Sequence, residues 1–159
     1  MALIEFFKKK GQSGFGYGST AEEVTRDLNL KGFTYLITGC NSGLGLETLK
    51  VLCMKGANVF ACARTTDKAI QACSKISTRA IPIVCDLSEP DSIKKAIAQI
   101  KSMGLLLDGI IANAAIMALP KLQKKYGYEL QFFNNHVGHF ILITGLISEL
   151  KSNGRIVML

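Results

Sequence analysis

The sequence predicts an α/β fold, a doubly wound parallel sheet of about five strands. Three observations predict it. From Lys31 onward, short β-branched or apolar runs alternate with longer helical stretches, the pattern of parallel strands joined by crossover helices. A glycine-bearing turn, Gly39 to Gly45, separates the first such run from the first such stretch. Gly56 and Gly154 stand where helices should end ahead of a strand. Right-handed crossovers then stack these pieces on both faces of one sheet.

Taken in order, residues 11–18 are half glycine and read as a flexible loop. Ser19 or Thr20 is then expected to cap a short helix, with Thr20-Ala-Glu-Glu23 as a capping box. Residues 1–30 therefore read as a flexible N-terminal extension with a short capped helix, and residues 31–159 as the domain. Strands are expected at Phe33–Thr38, Asn58–Ala63, Ala80–Cys85, Leu107–Asn113 and Arg155–Leu159, with helices near 43–55, 67–77, 89–103 and 126–151. The third helix has a marked start: Ser88 is expected to cap, Glu89-Pro90 to open the first turn, and Asp91 to close the box.

Composition narrows the function classes. With 48% hydrophobic and 19% charged residues, the chain is too apolar for disorder. At 159 residues it fits one domain that buries roughly two thirds of its unfolded surface. The net charge of +7 is scattered, apart from Lys8-Lys9-Lys10 and the group Lys121, Lys124, Lys125. Neither cluster is interleaved with stacking aromatics, so the charge suits an anionic small ligand and no nucleic acid is expected. The five cysteines form no C-x-x-C pair and fall in apolar stretches or a tight turn, as reduced thiols in a cytoplasmic protein would. No run approaches the ~18 residues of an integral membrane segment, and the N-terminus has the wrong charge order for a signal peptide. Phe6, Phe7 and the lysines beside them offer a weaker alternative, a peripheral membrane contact. The expected protein is soluble.

Thr38-Gly-Cys-Asn-Ser-Gly-Leu-Gly45 follows the first strand and opens the first helix. Glycines at 39, 43 and 45 let the chain turn tightly and a pyrophosphate approach the backbone, where the helix N-terminus faces it. Thr38, Gly39, Asn41, Ser42, Gly43, Leu44 and Gly45 are thus candidate cofactor-binding residues in a Rossmann arrangement. Cys40 lies within the loop and reads better as a small residue that fits the turn than as a redox-sensitive thiol. At the end of the second strand, where the adenine ribose is read, stands Ala61-Cys-Ala-Arg64, with no carboxylate until Asp67. An arginine there can fork onto a 2′-phosphate, which favours NADP. The competing reading is a solvated Arg64 with NAD held by backbone contacts.

The loop spacing, T-G-x-x-x-G-x-G, resembles the short-chain dehydrogenase/reductase family, and every fixed position is met. The resemblance covers about residues 30–159. It implies that Asp86 and Leu87, after the third strand, lie beside the adenine ring. Ser88 is expected to do the capping there, which frees Asp86. Asn113-Ala114-Ala115 is similar to the family's N-A-G segment under the cofactor, with alanine in place of glycine. Tyr126-Gly-Tyr-Glu-Leu-Gln131 and Asn135-His-Val-Gly-His-Phe140 resemble the retinol-dehydrogenase-like branch. On that resemblance Asn135 is the helix asparagine of the family's catalytic tetrad, which holds a water in a proton relay. An asparagine within a helix can free a carbonyl for that water. His136 and His139 lie three apart, a spacing that could hold a metal. No cysteine or carboxylate completes a ligand set, so no metal is expected and both histidines read as packing or hydrogen-bonding groups. Phe132, Phe133, Phe140, Ile141, Leu142 and Ile143 read as core and interface packing, and the family uses this helix at its dimer interface.

The family's catalytic serine is expected just past Leu159, and its Y-x-x-x-K motif later still. Four residues beyond each tyrosine stand Ala21, Gly39, Leu130 and Phe132, none of them lysine. The sheet is therefore expected to be incomplete, ending with the fifth strand as an open apolar edge prone to association. The expected function is that of an NADP-dependent alcohol/carbonyl oxidoreductase, present as its cofactor-binding half and inactive alone. The alternative is a non-catalytic nucleotide-binding or association module. Expected partners are a nicotinamide dinucleotide, a small alcohol or carbonyl substrate if the missing half is supplied, and a second copy or a complementing chain.

Overall fold

Five parallel strands form the sheet, and its order decides where a ligand can sit. The computed structural model describes residues 10–74 and 76–159; Phe6, Phe7, Lys8 and Lys9, invoked for a membrane contact, lie outside the described residues. The chain runs through α1 (Ala21–Val24), β1 (Thr34–Thr38), α2 (Gly43–Met54), β2 (Asn58–Ala63), α3 (Thr66–Ser74), β3 (Ala80–Val84), α4 (Pro90–Ser102) and β4 (Leu107–Ala112). A two-stranded hairpin follows, β5 (Lys124–Lys125) and β6 (Tyr128–Glu129). After it come α5 (Leu130–Phe132), a π-helical segment Phe133–Val137, α6 (Gly138–Leu146), a 3-10 turn Ile147–Glu149, and β7 (Leu150–Met158). The sheet order is β3-β2-β1-β4-β7, and its neighbours pair in parallel. The chain first winds outward from β1 to β3, then returns through α4 to β4 on the other side of β1. That reversal opens a crevice beyond the C-terminal ends of β1 and β4, where doubly wound sheets bind ligands.

Side-chain alternation along the strands builds two cores. Ile37, Val59, Ala61 and Ala63 face the layer of α2 and α3, packing with Leu49, Ala69 and Ala72. Leu36, Phe60, Cys62 and Ile83 face the layer of α4 and α6, packing with Ile93, Ile100, Leu142 and Leu146. Because the central strands are covered on both faces, their sequences read as continuous apolar runs. At the opposite end from the crevice, the Asp108 carboxylate accepts the Thr34 N–H at 2.8 Å and both its oxygens meet Lys151 Nζ at 2.8 and 2.9 Å. That junction ties β1, β4 and β7 together.

The capping box of α1 is present: Thr20 Oγ1 accepts from the Glu23 N–H, and Glu23 Oε2 accepts from the Thr20 N–H. Gly56, at a φ of +98°, follows the last residues of α2 as expected. Three expectations need correction. Ser88 does not cap α4. The N-cap is Glu89, whose side chain makes no cap bond, and the Ser88 hydroxyl is drawn back onto Asp86. The expected helix 126–151 starts only at Leu130, because Tyr126 (φ +52°) and Gly127 (φ +83°) make the tight turn of the β5–β6 hairpin. Positive φ at two successive residues suits such a turn and excludes a right-handed helix. Finally, the fifth strand begins at Leu150 and not at Arg155, so Gly154 lies within β7 and does not end a helix. There Leu107 pairs with Leu150 and Gly109 with Arg155, so the extra residues bulge, and a side chain at 154 would collide with Leu150.

Candidate functional site: the crevice at the end of the central strands

A cleft of about 350 Å³ opens at the topological reversal, lined by the loop after β1, the end of β2, the turn after β3 and the segment after β4. The loop after β1 supplies Thr38, Gly39, Asn41, Ser42, Leu44 and Gly45, and β2 delivers Ala63 and Arg64. Sterics explain the glycines. Gly39 has a φ of +70°, and a Cβ there would come within 2.8 Å of Ala114 Cα. A Cβ on Gly45 would overlap the Gly39 carbonyl oxygen and lie 2.6 Å from Asn113 Nδ2. These two positions let the loop fold onto the end of β4. Gly43, the first residue of α2, has nothing within 4 Å of its Cβ position and a φ of +56°, which favours glycine; it is not among the residues lining the cleft. The cradle fits a pyrophosphate, for which backbone approach and a helix N-terminus are the requirement.

Asn113 binds the loop from the other side. Its Nδ2 donates to the Thr38 carbonyl at 2.8 Å and to the Gly39 carbonyl at 3.3 Å. The Thr38 hydroxyl oxygen accepts two amides, from Asn113 and Ala114, each at 3.0 Å, and sits 2.9 Å from His139 Nε2. Ala114 and Ala115 both line the cleft, so alanine at the third position of this segment is accommodated.

Cys85 and Leu87 also line the cleft, on either side of Asp86. Ser88 does not free Asp86, contrary to expectation. Asp86 Oδ1 accepts both the Ser88 N–H at 2.9 Å and the Ser88 hydroxyl at 2.8 Å, which makes a local turn. Arg64 is the one charged side chain among the described residues lining the cleft, and no carboxylate shares it.

Asn135 lies in the π-helical segment. Its side chain makes three hydrogen bonds: Nδ2 donates to the Ile116 carbonyl at 2.8 Å, while Oδ1 accepts from the Ile116 N–H and from Asn134 Nδ2, both at 2.9 Å. The amide thus imitates a strand partner for Ile116 and fixes the wall of the cleft. The wider turn releases main-chain groups from the regular ladder, and the Asn135 carbonyl is met by His139 Nδ1 at 2.8 Å. His139 is 2% exposed. His136 instead stacks on Phe132 at the surface. Among the described residues no group of three or more His, Cys, Asp or Glu could hold a metal. Phe133 and Leu142 are core, Ile141 and Ile143 half-buried, and Phe132 and Phe140 exposed.

Sequence reasoning missed Ala63, Cys85, Ile116 and Asn134 as lining residues, and it missed His139 as the ring beneath the loop. The spacing of His139 from Asn135, one helical turn, was the available signal. Cys40 is fully buried and donates its S–H to the Cys62 carbonyl at 3.3 Å. Burial pushes its pKa up to about 12, which suits a packing residue. The described cysteines are all buried and free.

Known proteins with similar sequences and folds agree with this arrangement. Residues 34–159 match the sequence model of the short chain dehydrogenase family. The chain is 39% identical over 152 residues to short-chain dehydrogenase TIC 32 B, chloroplastic, of Brassica napus, covering 92% of this chain and 48% of that protein. It is 32% identical over 134 residues to retinol dehydrogenase 12 of Mus musculus, covering 81% of this chain and 42% of that protein. Among solved structures, 3-ketoacyl-(acyl-carrier-protein) reductase from Brucella melitensis, complexed with NADH, superposes with a TM-score of 0.63 at 26% identity, over 76% of this chain and 51% of that one. The chain spans about half the length of the curated relatives it matches. No helix among the described residues is long and apolar enough to cross a membrane. The cleft, its glycine loop and these likenesses together make the chain a member of the short-chain dehydrogenase/reductase family, with retinol dehydrogenases among its relatives.

Proposed function

We propose that this chain binds NADP(H) in the cleft, as the cofactor half of an alcohol/carbonyl oxidoreductase. The observation that carries the reading is Arg64, which follows β2 and is the one charged residue among the described residues lining the cleft, with no Asp or Glu among them. A guanidinium forks onto a phosphate dianion, whereas selection of NAD needs an acidic acceptor for the 2′-OH. Thr38, Gly39, Asn41, Ser42, Gly43, Leu44 and Gly45 would hold the pyrophosphate, and Asp86 and Leu87 would flank the adenine. Asn113 and Ala114 would underlie the ribose and nicotinamide. The cofactor supplies hydride transfer; the residues named here bind and orient it. Asn135 is the one group of the family's catalytic tetrad that we assign, on resemblance. Residues 1–159 by themselves are then expected to bind without turnover.

The test is a fluorescence titration of wild type and Arg64→Asp with NADPH and NADH. A shift of preference toward NADH in the variant is expected, and unchanged preference contradicts the NADP reading. We further propose residues 31–159 as the cofactor-binding unit. The cytoplasm is our proposed location, supported by the buried free thiols. The Brassica napus relative is named as chloroplastic, and a localisation experiment that puts this chain in the chloroplast would overturn the proposal.

A further inference from the structure

We infer that His139 is a positioning residue: held in one neutral tautomer, it sets the Thr38 hydroxyl and the Asn135 carbonyl and so locks the floor of the cleft. The tautomer follows from its partners. The Asn135 carbonyl can only accept, so Nδ1, 2.8 Å away, carries the hydrogen. Nε2 of the neutral ring is then an acceptor, and the Thr38 hydroxyl, 2.9 Å away, donates to it. Donation in that direction turns the Thr38 lone pairs toward the Asn113 and Ala114 amides, which they accept at 3.0 Å. The hydroxyl is saturated, with one hydrogen given and two received. The imidazole therefore links the end of β1 to the π-helical segment directly, and the Thr38 hydroxyl extends the link to the segment after β4.

Protonation would break this pattern. An imidazolium carries hydrogen on both nitrogens, so Nε2–H would point at an oxygen already accepting twice, and the Thr38 O–H would lose its acceptor. The surroundings oppose that charge. Thr38 comes from β1, Asn113 and Ala114 follow β4, and Asn135 lies on the π-helical segment; all four are neutral. Burial lowers the His139 pKa from its ordinary value, partly opposed by the bond to the Asn135 carbonyl, and no charged side chain enters the balance.

This role rests on the proposed cofactor site, and the test separates the two. In the full chain with 15N-labelled histidine and no cofactor, NMR should show His139 as the Nδ1–H tautomer at neutral pH. An Nε2–H or protonated ring would overturn the inference. His139→Gln keeps an acceptor near Thr38, whereas His139→Asn keeps a donor for Asn135 but cannot reach Thr38. The Gln variant is expected to bind NADPH close to wild type with its pH dependence below about 6.5 flattened, and the Asn variant roughly tenfold more weakly. Equal losses in both would overturn the inference, since a ring that merely fills space is missed alike by either replacement. Wild-type chain that binds no NADPH overturns the proposed function instead. The tautomer and the relative melting temperatures of the two variants then decide the role of His139 on their own.

Discussion

Within the cleft, small residues act by what they leave out. At Gly45 a single methyl group would overlap the Gly39 carbonyl oxygen and press on Asn113 Nδ2, the amide that ties the loop to β4. Backbone and a committed side chain surround the position, so neither yields without a shift of the loop. Gly45→Ala is expected to cost about 1–3 kcal/mol, the range of core overpacking, and to weaken NADPH binding along with it. Thermal melting and a titration check both; a variant that melts and binds as wild type contradicts the steric account. His139 and Thr38 act in the opposite way, each by using every hydrogen-bonding position it has. The glycine spacing and the threonine ahead of it were legible in the sequence because backbone sterics demand particular residue types. The ring beneath the loop was not, because it lies 101 residues away and only the fold brings it there.

At the scale of elements, the departures from sequence reasoning have identifiable causes. The periodicity of residues 126–151 is helical over most of its length, but Tyr126-Gly127 takes positive φ and starts a hairpin turn that a periodicity argument does not see. The hairpin is held from outside, since Lys125 and Tyr126 both bond the Glu89 carboxylate at the start of α4. Lys125 foremost, then Tyr126, holds the Glu89 carboxyl below its ordinary pKa. Glu89→Ala is expected to free the hairpin, which limited proteolysis would read as faster cleavage within residues 121–128 while the sheet stays protected. Equal cleavage rates would show that the aromatic packing of Tyr126 and Tyr128 on Phe133 suffices. The same carboxylate explains why the expected cap failed. Ser88 and Asp91 match a capping pattern, yet Ser88 is drawn onto Asp86 and Glu89 onto the hairpin. The three central strands, by contrast, were found close to their expected limits, because burial on both faces selects apolar residues along them, whereas the edge strand β7 starts five residues ahead of the expected Arg155.

At the scale of the whole molecule, one sheet edge stands out. β7 lies at the end of the strand order, and Ile156, Val157, Met158 and Leu159 are all exposed there. An unpaired apolar edge invites pairing with another strand. We propose that residues 1–159, prepared as such, self-associate; sedimentation velocity should show species larger than a monomer, and a monodisperse monomer with cooperative melting contradicts this. The fold gathers its chemistry at the C-terminal ends of the parallel strands, where the cleft collects the glycine loop after β1, Arg64 after β2 and the Asn113 segment after β4. The function proposed for the chain requires that cleft to be an NADP(H) site. The most direct test is a fluorescence titration of the 159-residue chain with NADPH and with NADH at neutral pH. Saturable binding that favours NADPH is predicted, and no binding, or equal binding of the two, would contradict it.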